Sequence, residues 1–69
     1  MAVKSYNLRV NADGTLTIKV GRAVETIGLL GKERGEIFDQ VKWALISKDV
    51  YVSEVRLTED LYEVIWRHL

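Results

Sequence analysis

The sequence predicts a small α+β domain in the order strand, strand, helix, strand, helix (ββαβα). Three observations carry that prediction. Apolar residues alternate with polar ones from Tyr6 to Val20, they recur at spacings of three and four from Glu33 to Ser47, and the helical spacing returns from Thr58 to Leu69. With 69 residues the chain is long enough for one domain, residues 1–69, and a globule of that size buries only about 60% of the surface of its unfolded chain.

The first two strands are the most sharply drawn elements. Tyr6, Leu8 and Val10 alternate with Ser5, Asn7 and Arg9, and Leu16, Ile18 and Val20 alternate with Thr15, Thr17 and Lys19. Asn11-Ala12-Asp13-Gly14 separates them, and Asp-Gly supplies a turn former followed by a residue that tolerates positive φ, so a hairpin with a loop of about four residues is expected. From Gly21 to Gly35 the glycines at 21, 28, 31 and 35 interrupt any regular period. Within that stretch Arg22 to Ile27 reads as a third strand or a short helical turn, and is taken as a strand extension or an irregular crossover.

A helix begins at Glu33 or Arg34 and runs to Ile46 or Ser47, with Ile37, Phe38, Val41, Ala44 and Leu45 on one face. Val50 to Leu57 is rich in β-branched residues and reads as a strand. Its competitor is a single helix from Ser53 onward, because Leu57 joins the stripe of Leu61, Val64, Ile65 and His68. The strand reading is preferred because Thr58 is a good N-cap, with Glu59 and Asp60 at the positive end of the helix dipole and Arg67 and His68 at the negative end.

Composition narrows the function. There is no cysteine and one histidine, so a disulfide framework is excluded and a zinc site would need several carboxylates beside His68; no metal or cofactor is expected. Ten basic and ten acidic residues balance, which leaves no net field to draw the chain to nucleic acid or to an anionic membrane. The signs are unevenly spread. Lys4, Arg9, Lys19 and Arg22 face only Asp13 at the front, whereas Glu59, Asp60 and Glu63 face only Arg67 at the end. The opening residues lack the apolar run of a signal peptide, and no stretch has the length of a membrane span, so a cytoplasmic setting is the expectation.

No catalytic constellation assembles. His68 stands next to a terminus, the serines lack a nucleophile motif, and no carboxylates are paired by recognisable spacing, so an enzyme is not expected. Ile27-Gly28-Leu29-Leu30-Gly31-Lys32 fails the phosphate-loop test, since Thr26 stands where the first glycine of a Walker A loop belongs and Glu33 where its Ser or Thr does. The same string resembles the GxxG loop of KH nucleic-acid-binding domains, a resemblance that covers Thr15 to Leu57 at most. It implies that Gly28, Gly31 and Lys32 meet a nucleic-acid backbone and that Arg22 to Ile27 is a helix. Leu29 and Leu30 depart from the pattern, because such loops favour basic or small residues there. A second route to nucleic acid is the open hairpin face with Lys4, Asn7, Arg9, Thr17 and Lys19, but that face lacks the aromatic residue on which bases stack.

The apolar surplus points elsewhere. Trp43 and Ile46 fall off the stripe of the first helix, and Tyr62 and Trp66 form a ridge four residues apart on the last one. Large aromatics are frequent interface anchors. Trp43, Ile46, Tyr62 and Trp66 are therefore expected to bind protein, first another copy of this chain and then a further protein, in a non-catalytic regulatory module; nucleic-acid binding is the alternative, and no membrane contact is expected.

Overall fold

The computed structural model describes residues 5–68, so Lys4 and Leu69 lie outside the described residues. It shows a three-stranded antiparallel sheet followed by two helices: β1 Asn7–Val10, β2 Thr15–Val20, β3 Ala23–Gly28, α1 Arg34–Ile46 and α2 Glu54–Val64, closed by a 3-10 turn at Trp66–His68. The strands pair in chain order as a meander. The order is thus βββαα, which corrects the expected ββαβα.

The first hairpin forms where the alternation places it. Val10 pairs with Leu16, and the Asn11 amide donates to the Thr15 carbonyl, leaving Ala12, Asp13 and Gly14 as the loop. Gly14 takes φ of +82°, the left-handed residue of a three-residue hairpin loop. The side-chain amide of Asn11, through Nδ2, donates to the hydroxyls of Thr15 and Thr17, and Asp13 accepts from the Thr15 hydroxyl, so the turn is held by its own side chains.

Arg22 to Ile27 resolves into β3. Val20 pairs with Ala23 across Gly21 and Arg22, and positive φ at Gly21 alone is the pattern of a type II′ turn, whose twist suits a tight hairpin. On the inner face Leu16, Ile18, Val20 and Ile27 are buried under both helices. Glu25 has the inner parity too, at the sheet's edge, and Lys48 reaches it at 2.5 Å.

Helix α1 occupies the predicted residues and buries Ile37, Val41, Ala44 and Leu45. It ends in a Schellman cap: the Val50 amide donates to the Leu45 carbonyl, the Asp49 amide to that of Ile46, and Asp49 takes φ of +61°. Val50 is buried as the apolar residue that completes this motif.

That cap explains why the Val50 to Leu57 strand is absent. Val50 and Val52 are apolar because they seal the end of α1 against the core, not because they face a partner strand. Ser53 then caps α2, its hydroxyl accepting from the Arg56 amide. The helix start expected at Thr58 is wrong by more than a turn. Thr58 lies inside α2 with its hydroxyl donating back to the Glu54 carbonyl.

Leu57, Leu61 and Ile65 complete the core. The α-helix stops at Val64 and tightens into the 3-10 turn, which carries His68 off the buried stripe and into solvent. The helices run antiparallel, since Arg34 at the start of α1 lies over the Trp66 ring just past α2, and Lys42 pairs with Glu54 at the start of α2.

Candidate functional site

Two surfaces of this fold carry more than packing requires. One is the outward side of the helical pair. On α1, Phe38, Lys42 and Ile46 follow one another at four-residue spacing, and the Lys42 to Glu54 bond turns this ridge toward α2. On α2, Val55 and Tyr62 lie two turns apart on one side and are 71% and 52% exposed. Ile46 is half-buried, one turn beyond Lys42. Tyr51, in the segment that leads into α2, is also exposed.

The expected anchors do not form one cluster. Trp43 is 64% exposed, but it sits on the other flank of α1, over a groove shared with Glu25, Thr26 and Gly28 of β3. Trp66 is half-buried with the Arg34 guanidinium 5.2 Å from its ring centroid, a cation–π geometry, and it lines a different groove. Ile46 belongs to the α1 ridge that Lys42 ties to Glu54, and Tyr62 to the exposed side of α2. Val55 is the residue the sequence reading missed, because the strand assignment hid its place two turns before Tyr62. The Ser53 helix reading contained that signal.

The second surface is the Trp66 groove, about 1010 Å³ in volume, at the end of the sheet where the first hairpin, the β3–α1 turn and the 3-10 turn meet. Leu29, Ile37, Val64 and Ile65 contribute its apolar wall, and Leu30 stands at its mouth, 81% exposed. A third groove of about 1000 Å³ runs between β1 and the start of α2 and is bridged by the Tyr6 to Asp60 hydrogen bond. Burial first, then the bond to Asp60 and its charge, push the Tyr6 phenol up to about 12.

The nucleic-acid candidates are divided. Arg9 and Lys19 are exposed on the open face of the sheet, where Asn7 pairs with Lys19 and Arg9 with Thr17. Gly28, Gly31 and Lys32 lie at the β3–α1 turn, with the Lys32 ammonium donating to Gln40 at 2.8 Å. The KH-like reading is corrected here: its loop joins two helices, whereas Gly28 ends a strand and Arg22 to Ile27 contains no helix. Gly31 takes φ of +74°, so it serves the chain reversal. Among the described residues, no group of three or more His, Cys, Asp or Glu side chains could hold a metal ion, and no helix is long and apolar enough to cross a membrane.

The chain matches no family model, no curated protein and no solved structure.

Proposed function

We propose that this chain is a non-catalytic binding module that associates with a second copy of itself through the outward side of its helical pair. Val55 and Tyr62 are the central anchors, with Ile46 beside them and Trp43 at the margin. The observation that carries the reading is the exposure of Val55 and Tyr62 two turns apart on one helix. A domain this small has a core worth only about 3 to 5 kcal/mol, and covering such a face in an isologous pair adds apolar burial that the single chain lacks. Trp66 has a lesser part, since Arg34 already covers its ring. Another protein is the further partner, met by the surface that the pair leaves open around Trp43.

Light scattering on the chain and on the Val55→Glu, Tyr62→Glu double variant tests this. Both positions face solvent, so the variant folds; it is expected to be monomeric at concentrations where the parent chain is not. A double variant with the parent's mass removes the helical face from the interface.

A second reading, single-stranded nucleic acid on the open sheet face, is favoured by Arg9 and Lys19 lying together there. It predicts oligonucleotide binding that weakens steeply with salt and is reduced by Lys19→Glu. The described residues of that face include no aromatic side chain, so self-association is the better supported reading.

A further inference from the structure

We infer that the Trp66 groove is a binding site for a small amphiphilic anion, an unbranched aliphatic carboxylate, independent of any self-association. Its volume of about 1010 Å³ is at the upper end of the roughly 300–1,000 Å³ of small-molecule sites. An aliphatic chain is suited to walls made of Leu29, Ile37, Val64 and the Trp66 ring, because they offer apolar contact without a polar group that the tail would leave unpaired.

The charge of the groove selects the head group. Of the basic residues along it, Arg9 belongs by register to the open sheet face and Lys32 donates to Gln40, so Arg34 supplies the positive charge, and Glu33 is the only acidic residue in the lining. Arg34 is the best placed of the three, since its guanidinium already stands over the Trp66 ring that forms the wall. The first turn of α1 opens onto the same space. Glu33 at the N-cap makes no side-chain bond to it, so the amides of that turn add their positive ends to the field of Arg34. Glu36, the acidic residue of that turn, is not part of the groove's lining, whereas Arg34 and Ile37 are. A carboxylate accepting from Arg34 with its tail along Trp66 satisfies both halves of the groove. An alkyl cation of the same length meets the same walls and the wrong charge.

The two tryptophans make the test internal to the chain. In a titration with dodecanoate below its micelle concentration, followed by the indole N–H signals in a proton–nitrogen correlation spectrum, the Trp66 signal is expected to move saturably while that of Trp43 stays. Dodecyltrimethylammonium at the same concentrations is expected to leave both in place. Arg34→Gln should weaken dodecanoate binding about tenfold, and Arg22→Gln, at the far hairpin turn, should not change it. The inference is overturned if dodecanoate moves neither signal, if the alkyl cation moves Trp66 equally, or if Arg34→Gln binds as tightly as the parent. It is also overturned, in favour of a lipid surface, if Trp66 responds to phosphatidylglycerol vesicles but not to monomeric dodecanoate. Failure of the self-association reading changes the mass of the particle and leaves this titration intact.

Discussion

The Tyr6 hydroxyl donates to the Asp60 carboxylate and so ties the segment entering β1 to the middle of α2. No other side-chain hydrogen bond among the described residues spans so much of the chain. It links the first element in sequence to the last helix, on the flank where α2 packs against β1.

This bond predicts a loss of stability at high pH. A phenol in the unfolded chain ionises near pH 10, whereas Tyr6 in the fold is raised to about 12. The fold therefore holds a proton that the unfolded chain has given up in that interval. The contribution is complete below about pH 10 and disappears as pH rises through about 12. Two units correspond to about 2.7 kcal/mol at most, and solvent around a half-buried phenol reduces this to roughly 1 kcal/mol. Urea denaturation should show the midpoint falling over that interval in the parent chain. Tyr6→Phe should be about 1 kcal/mol less stable at neutral pH and should lose that portion of the alkaline decline.

Where α2 begins is open to a paired substitution. Ser53→Ala removes the hydroxyl that accepts from the Arg56 amide and should cost about 1 kcal/mol. Thr58→Ala removes only a back-bond to the Glu54 carbonyl inside the helix and replaces a β-branched residue with the best helix former, so its effect should lie within about 0.5 kcal/mol of zero. Chemical denaturation of both variants checks the order; a larger loss at Thr58 would place the helix start there.

Two glycines should respond to alanine with opposite signs. Gly35 lies in the first turn of α1 with open space where a methyl would go, and Gly35→Ala should stabilise by about 0.5 kcal/mol by restricting the unfolded chain. Gly14 takes φ of +82°, and its Cβ would stand 3.0 to 3.3 Å from the end of the Leu30 side chain. Leu30 is exposed and can swing aside, so the backbone decides the outcome: Gly14→Ala should cost about 1 to 2 kcal/mol. Thermal melts of the two variants, shifted in opposite directions, are the check.

The legible parts of this fold are those whose local chemistry agrees with their tertiary role. The Tyr6 to Val20 hairpin and α1 were readable because alternation and three-and-four spacing coincide with their buried faces. Val50 to Leu57 looks like a strand in sequence because two different demands produce a strand-like composition. Val50 and Val52 seal the end of α1, and Val55 is an exposed helical residue, so their β-branched character reports no sheet. Asp49, which takes the left-handed position of the cap, is the residue that could have revealed it, but glycine is the usual signal there. Of the candidate site, the surplus of aromatic surface was readable and its arrangement was not. Trp43 and Trp66 fall on separate grooves, Trp43 beside β3 on the flank of α1 and Trp66 past the end of α2 beside the start of α1.

The proposed interface between copies of this chain is the outward side of the helical pair. Sedimentation equilibrium over a range of micromolar concentrations tests it most directly. A self-associating chain should show a mass that rises above the 7.9 kDa of the single chain and levels at a whole-number multiple of it. A mass that stays at 7.9 kDa across the range would contradict it.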